Sequence, residues 1–313
     1  MSATAKFRTV SRLALATVVS MFGLMVLGSI VRTTGSGLAC PDWPLCHGRL
    51  IPPFQFNVLV EWFHRLMALM VSLLLVATVG TVALHRELRA RLGTLAGLTV
   101  VLLGAQILLG ALTVWRLLDP AIVGGHLAVA LLLFSALVML ALIARREAEA
   151  ETETEGLSEP RPQGLLPWLA GACLLIYAQA VLGGMVSASG ASLACPDWPT
   201  CAGQWFPPLE GLRGLHMAHR WGAYALTAYL IVTALRSRRV SDPLVARVGP
   251  ALLALTLGQV VLGVLNVLVG IEAWLSALHL ANAAGMLALT IATTFRVASM
   301  PARGTALATI TAS

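Results

Sequence analysis

Four histidines occupy matched positions in two copies of a repeated sequence. His64 corresponds to His219 at an offset of 155 residues, and His126 corresponds to His279 at an offset of 153. Each lies about four or five residues inside an apolar segment, which at 1.5 Å of rise per residue is roughly 6–8 Å from the end of a helix. Two imidazoles at one depth on different helices can approach a flat macrocycle from opposite faces. The pattern therefore predicts two bis-histidine haem sites, one in each copy.

The repeat extends well beyond the histidines. The segment CPDWPLC at 40–46 recurs as CPDWPTC at 195–201, and His-Arg at 64–65 recurs at 219–220. Neighbouring glycines and prolines keep the same offset. A lone histidine inside a membrane is often only a polar contact between helices. Four at repeat-matched positions favour a binding role, since ionisable residues at such depth are functional candidates.

The two copies differ at the first position of the motif that contains the first histidine. The N-terminal copy has Glu61, and the C-terminal copy has His216. Glu61 and His64 are three residues apart and therefore project from one helix face. A carboxylate in apolar surroundings is costly, so Glu61 is the candidate catalytic group, able to exchange protons. The alternative interpretation is an interface residue that pairs with Arg65.

Polar residues near the histidines have two interpretations each. Arg65 and Arg220 directly follow the first histidine of each copy. They are candidates for pairing with haem propionates or for reaching the outer membrane interface. Gln106 and Gln259 lie within predicted helices at matched positions of the two copies. We expect each to form a hydrogen bond to a neighbouring helix or to a haem pocket.

Four of the five cysteines form two closely spaced pairs. Cys40 and Cys46, like Cys195 and Cys201, lie in predicted outer loops, where disulfides persist. We expect one disulfide within each loop, acting as a structural staple or as a redox-active pair. Cys173 lies within a helix and is expected to be a small core residue.

The composition is that of a membrane protein. Hydrophobic residues make up 58% of the 313 and charged residues 11%, whereas a soluble domain carries about 25% charged residues. Eight apolar runs reach the roughly 20 residues that span a bilayer. They fall near 12–32, 59–83, 93–115, 122–144, 165–186, 215–235, 247–269 and 274–297. The sequence thus predicts an all-α polytopic protein whose eight transmembrane helices form two pseudo-symmetric four-helix bundles.

The predicted domains follow from the repeat. The N-terminal half covers residues 1–146, an acidic linker covers 147–163, and the C-terminal half covers 164–313. The composition of the linker is typical of a solvated tether.

The positive charge lies on one side of the predicted spans. The net charge is +7, but its distribution excludes nucleic acid as a partner. Fifteen of the 21 basic residues fall on that side: Lys6, Arg8, Arg12, Arg86, Arg89, Arg91, Arg145, Arg146, Arg161, Arg236, Arg238, Arg239, Arg247, Arg296 and Arg303. Because positive loops are cytoplasmic, both termini and the linker are expected inside and the cysteine loops outside.

The motifs together resemble the haem A synthase family. The resemblance rests on EWFHR at 61–65, GGH at 124–126, HMAHR at 216–220 and LH at 278–279, in this order, with the cysteine pairs. It implies an oxidoreductase of the bacterial plasma membrane that oxidises a methyl group of haem O to a formyl group, producing haem A for terminal oxidases.

The resemblance also implies a role for each half. His64 and His126 match the ligands of the substrate haem, and His219 and His279 match those of a resident haem b. Glu61 matches the essential carboxylate of the family, and His216 has no assigned role. Candidate partners are the lipid bilayer, haem O synthase and a second copy of the chain.

Two other classes of protein fit part of the sequence. A dihaem b-type electron-transfer cytochrome would use the four histidines but has no need of Glu61. A quinone-linked membrane thiol oxidoreductase would use the cysteine pairs but leaves the matched histidines unexplained. Haem extraction separates the first alternative from the synthase, and removal of the paired cysteines tests the second.

Overall fold

A computed structural model describes residues 2–150 and 160–301, and within them the chain is all-α. It contains eight long helices, as the apolar runs predict: α1 Ala3–Thr33, α2 Phe56–Leu84, α3 Arg86–Trp115, α4 Pro120–Glu149, α5 Leu165–Ala188, α6 Gly211–Ser237, α7 Pro243–Val269 and α8 Ala273–Ala298. Short 3-10 turns at Ser36–Leu38 and Ala191–Leu193 follow α1 and α5 at repeat-matched positions.

The helices are longer than the apolar runs because polar residues extend their ends. Asp119 accepts hydrogen bonds from the backbone N–H groups of Ala121 and Ile122 and so caps α4, with Pro120 in the first turn. At its other end α4 runs through Glu149, three residues into the predicted linker. An ion pair between Arg145 and Glu149, one turn apart, supports this extension. The rest of the acidic run, 151–159, lies outside the described residues.

Each set of four consecutive helices packs in a closed circuit. Helices α1 and α3 both contact α2 and α4. In the same way, helices α5 and α7 both contact α6 and α8. The two sets meet where α1 contacts α8, α4 contacts α5, and α4 contacts α8. One hydrophobic cluster continues across this boundary and includes Met21, Phe134, Ile176 and Leu287. The two halves therefore share a core.

A polar contact also joins the two halves. The Arg32 guanidinium at the end of α1 donates a hydrogen bond to the backbone carbonyl of Ser187 at the end of α5. The two residues occupy the same position in the two copies, 155 residues apart.

Most of the helices are long and apolar enough to cross a membrane. In the ranges that the structure describes, seven of the eight meet this condition, and α6 is the exception. Helix α6 carries His216, His219 and Arg220 close together, which lowers its hydropathy. Many large apolar side chains on the outer faces of the helices are exposed, among them Leu73, Val101 and Leu174. This is the surface expected of a multi-pass protein in lipid.

Candidate functional site

Every histidine of the two predicted pairs lies against a glycine of the preceding helix. A methyl group built on each glycine would lie within 3.4 Å of the imidazole Cε1. The distances are 3.2 Å for Gly28 and His64, 3.4 Å for Gly110 and His126, 2.8 Å for Gly183 and His219, and 3.2 Å for Gly263 and His279. In four helical hairpins, a glycine without a side chain thus leaves room for the imidazole ring beside the backbone of the preceding helix.

Three of the four candidate ligand histidines have a buried ring nitrogen without a partner. Each is only partly exposed, yet the Nδ1 atoms of His64, His126 and His279 are buried without a hydrogen-bond partner among the described residues. His64 and His126 are close enough to interact electrostatically, as are His219 and His279. Buried polar atoms are normally satisfied, so unpartnered ring nitrogens on both histidines of the N-terminal pair and on one of the C-terminal pair fit sites whose ligand is a haem iron.

Glutamine amides contact three of the four imidazoles. Gln106 Nε2 lies 3.3 Å from His126 Nε2, and Gln259 Nε2 lies 3.2 Å from His279 Nε2. These are contacts between neighbouring helices, as predicted, and they reach the candidate ligands themselves. The third glutamine is Gln179 of α5, whose Nε2 lies 2.9 Å from Nδ1 of His219.

Glu61 is buried and forms an ion pair with Arg65. Its Oε1 accepts a hydrogen bond of 3.0 Å from Arg65 Nε, one turn further along α2. The rest of the guanidinium holds the first cysteine loop, because Nη1 donates to the carbonyls of Asp42 and Leu45, and Nη2 donates to that of Cys40. The carboxylate is therefore connected to the disulfide loop through one arginine.

The second half repeats this arrangement with a histidine in place of the carboxylate. His216 Nε2 accepts from Arg220 Nε at 3.1 Å, and His216 Nδ1 lies 2.9 Å from the carbonyl oxygen of Ala191. Since one ring nitrogen accepts, the other donates to the carbonyl, and the ring is a neutral tautomer. Arg220 also donates to the carbonyls of Thr200 and Cys195. His216 is thus the structural counterpart of Glu61.

Both arginines donate hydrogen bonds to backbone carbonyls of the cysteine loops. Arg220 lies on α6 and is 6% exposed. For Arg65 and Arg220, pairing with propionates and reaching the outer membrane interface both stay predictions. The structure adds a role that the sequence did not indicate, since both side chains fix the loops above the histidines.

The two cysteine loops have the predicted pairing. Disulfides join Cys40 to Cys46 and Cys195 to Cys201, and Cys173 is a free, partly buried cysteine. All four paired cysteines are buried. Both predicted roles of these disulfides, the structural staple and the redox-active pair, stay predictions.

An aspartate organises each disulfide loop. Asp42 accepts hydrogen bonds from the backbone N–H groups of Gly48 and His47 at 2.7 and 2.6 Å, and these bonds hold the pKa of Asp42 below its ordinary value. Asp197 does the same for Ala202 and Gly203 and also accepts from the Thr200 hydroxyl, which with the backbone bonds lowers its pKa. The loops are thus built around an ionised carboxylate.

The sequence did not predict that Gln179 and the four glycines lie against the histidines. A signal was present in the chain: the pattern Gln-x-x-x-Gly occurs at 106–110, 179–183 and 259–263, with Leu-x-x-x-Gly at 24–28. Its spacing of four places both residues on one helix face. Without the neighbouring helix, nothing identified this face as the one against the histidines.

The fold and the site define a multi-pass α-helical membrane protein with two pairs of histidines suited to haem. Comparison with known proteins agrees. The family model COX15-CtaA, described as cytochrome oxidase assembly protein, matches residues 11–57 and 53–291. The chain belongs to this family.

Relatives with an assigned name cover most of the chain. A haem A synthase of Symbiobacterium thermophilum is 33% identical over 80% of this chain and 83% of its own. A haem A synthase of Geobacillus thermodenitrificans is 28% identical over 87% of this chain and 86% of its own. A haem A synthase of Alkalihalophilus pseudofirmus is 30% identical over 71% of this chain and 75% of its own.

Proposed function

We propose that this protein is a haem A synthase, which oxidises a methyl substituent of haem O to a formyl group. The observation that carries the proposal is the combination of two matched histidine pairs with a single buried carboxylate, Glu61, in one half. Two halves that only bound haem would have no use for this difference. The named relatives, which align over most of the chain, support the same activity.

We assign the substrate haem to His64 and His126 and a resident haem b to His219 and His279. The unsatisfied imidazole nitrogens and the shared glycine contact support ligation in both halves. A resident haem b would supply one-electron redox chemistry when bound. The substrate belongs in the N-terminal half because that half contains Glu61.

Glu61 is the group that takes up protons released from the methyl carbon. Oxidation of the methyl group with one water to an alcohol releases two protons and two electrons, and oxidation of the alcohol with a second water to a hydrated aldehyde releases two more of each. The hydrate then loses water to give the formyl group, and the electrons pass to an external electron acceptor. A carboxylate one turn from the ligand His64, on the same helix face, is within the region where those protons appear. The Arg65 guanidinium holds the carboxylate in place and connects it to the loop above.

The proposal includes a topology. Eight helices span the membrane, with α6 included because the same segment of the repeat, α2, is apolar enough to span. They form two pseudo-symmetric four-helix bundles, supported by the repeated contacts of α1–α4 and α5–α8. Both termini and the linker are cytoplasmic in the bacterial plasma membrane, because the basic residues lie on that side.

The test is haem analysis in cells that make haem O but no haem A. Expression of this chain as the sole synthase is expected to produce haem A in the extracted pigments. The matched control is the His64→Ala variant, which should leave haem O unconverted. Accumulation of haem b alone, with haem O unchanged by the wild-type chain, would favour a dihaem cytochrome and overturn the proposal.

A further inference from the structure

We propose that a cavity between the start of α5 and the end of α6 is a binding site for an anionic phospholipid. The cavity has a volume of about 500 Å³. It lies at the end of the C-terminal half opposite the cysteine loop, because that loop joins the other ends of the same two helices. The inference does not depend on the haem chemistry. Only the choice of the cytoplasmic leaflet rests on the proposed topology.

The lining of the cavity combines apolar side chains with two positive charges. It includes Val232, Leu235 and Arg236 from the last turns of α6, Arg239 just after that helix, and Gln163 just before α5. Val232 is 38% exposed and Leu235 is 48% exposed. The apolar side chains are therefore open to a ligand that has both a charged and an apolar part.

No described residue neutralises the two arginines. Among residues 2–150 and 160–301, neither Arg236 nor Arg239 takes part in an ion pair. Asp242, which follows them in the chain, is paired with Arg296. The guanidinium carbon of Arg236 lies 4.5 Å from the centre of the Trp168 ring. This cation–π contact holds the positive charge against α5.

The cavity exists because α5 begins late. At the offset of 155, Leu165 at the start of α5 corresponds to Val10, whereas α1 begins at Ala3, seven residues earlier. Seven residues are about 10 Å of helix. In α5 this extension is prevented by Pro160 and Pro162, since a proline disfavours helical backbone in the residue before it. The inner end of α6 is thus left without a neighbour that α2 has.

In the N-terminal half, protein fills the corresponding space. Phe7, in the additional turns of α1, is the counterpart of Pro162. It is 6% exposed and belongs to a hydrophobic cluster with Val10 and Val82. The first turns of α1 therefore cover the end of α2, and the absence of these turns in α5 leaves the cavity.

The charges follow the same difference between the halves. The counterparts of Arg236 and Arg239 are Thr81 and Leu84. The Thr81 hydroxyl donates within its own helix, to the carbonyl of Ala77. The half with the cavity thus has both arginines at its lining, and the half whose helix fills the space has neither. This coincidence points to a ligand of negative charge.

An anionic phospholipid matches the cavity in charge and in polarity. Guanidinium groups bind phosphate oxygens through paired N–H donors, and the apolar side chains suit the first methylene groups of an acyl chain. The described lining contains no carboxylate that would pair with the ammonium group of a zwitterionic lipid. Basic pockets between transmembrane helices on the cytoplasmic side are typical sites for anionic headgroups. The lipid would fill the space that α1 fills in the other half.

The test is lipid binding measured by native mass spectrometry. The purified full-length protein, freed of lipid in detergent, is mixed with equal amounts of dioleoylphosphatidylglycerol and dioleoylphosphatidylcholine. The wild type is expected to retain one phosphatidylglycerol in preference. Arg236→Gln combined with Arg239→Gln should weaken this binding about 30-fold, because each basic residue near a lipid headgroup contributes about a fivefold factor.

Two further variants separate the cavity from general surface charge. Arg86→Gln combined with Arg89→Gln removes the same charge at the start of α3, outside the lining, and should leave the affinity unchanged. Leu235→Trp keeps both arginines but fills the apolar part of the cavity, and it should weaken binding several-fold. An equal loss in the Arg86 and Arg89 variant would show a surface-charge effect and overturn the proposal. Equal retention of the two lipids by the wild type would overturn it as well.

Two other occupants of the cavity have different signatures. Displacement of phosphatidylglycerol by inorganic phosphate at the same concentration would show a site for a free anion. A preference for phosphatidylglycerol that appears only after Glu151, Glu153 and Glu155 are replaced by glutamine would show that the acidic run covers the arginines. Either result overturns the lipid assignment. None of these measurements requires turnover of haem, so they are independent of the proposed function.

Discussion

Glu61 and His216 occupy the same place in the two halves, and each accepts a hydrogen bond from the arginine one turn further along its helix. The bond is 3.0 Å from Arg65 to the carboxylate and 3.1 Å from Arg220 to the imidazole. The arginine then holds the disulfide loop in both halves. The two groups therefore accept the same hydrogen bond but differ as acids and bases. A substitution that exchanges them tests the chemical role of Glu61 while its structural role is kept.

The Glu61→His variant uses this equivalence. It copies the C-terminal half, so Arg65 keeps an acceptor and the cysteine loop keeps its place, while the carboxylate is lost. We expect normal expression and normal haem b content, with formation of haem A reduced at least about 100-fold, as is usual when a proton-transfer group is removed. Extracted haems from cells with this variant as their sole synthase are the measurement.

Two further variants sharpen the Glu61 test. Glu61→Gln removes the charge and keeps the size, and it should fail in the same way as Glu61→His. Glu87→Gln removes a carboxylate that pairs with Lys6 and lies outside the four candidate ligand histidines. It is the control and should form haem A normally. Wild-type amounts of haem A from Glu61→Gln would return Glu61 to a purely structural role.

Loss of either C-terminal ligand should remove the resident haem. His219→Ala and His279→Ala are each expected to abolish most of the low-spin haem b spectrum of the purified protein, because bis-histidine ligation needs both rings. His85→Ala, at the end of α2 and outside the pairs, is the control. An unchanged haem b content in both variants would refute the ligand assignment.

The glycines against the histidines should be intolerant of a single methyl group. In Gly183→Ala the new Cβ would lie 2.8 Å from His219 Cε1, so the ring must move. We expect a shifted haem b spectrum or a several-fold loss of haem. Gly285→Ala in α8 is the control, since a methyl group there meets nothing within 4 Å and alanine favours a helix by about 1 kcal/mol. Equal spectra for the two variants would contradict the proposed contact.

The outer loops should loosen in acid. Backbone hydrogen bonds lower the pKa of Asp42, so its stabilising effect on the loop is complete above the unfolded value of about 3.9 and is lost as the pH falls through the folded value. Asp197 behaves in the same direction. Hydrogen exchange of the His47 and Gly48 amides should therefore stay slow down to about pH 4, and Asp42→Asn should speed it at neutral pH. Equal protection in the variant would argue against this role of the carboxylate.

The disulfides give a prediction that needs no haem. Thiol labelling of the denatured, unreduced protein should modify Cys173 alone, because the other four cysteines are paired within their loops. Peptide mapping is the measurement. A cross-link between Cys40 and either cysteine of the second loop would contradict the structure.

The sequence predicted the helices well because apolar runs and the repeat carry most of the fold. It also predicted both disulfides, which depend on short spacing. It could not show that Arg65 and Arg220 bind loop carbonyls, since those contacts join residues 20 to 25 positions apart. The contacts of Gln179 and the glycines were hidden for a related reason: helical register tells which residues share a face but not which neighbour that face meets.

Arg32 and Ser187 meet where the two halves join, although they are one position of the repeat. In a pair of separate identical chains, residues that meet their own counterpart must be the same on both sides. Two arginines would then face each other with like charges. Fusion of the copies into one chain removes that constraint, because each side of the junction can change alone. With a serine on one side, the arginine on the other side can bind a backbone carbonyl. A homodimer of half-length chains would make this contact only with an arginine on both sides, and the two positive charges would then lie together.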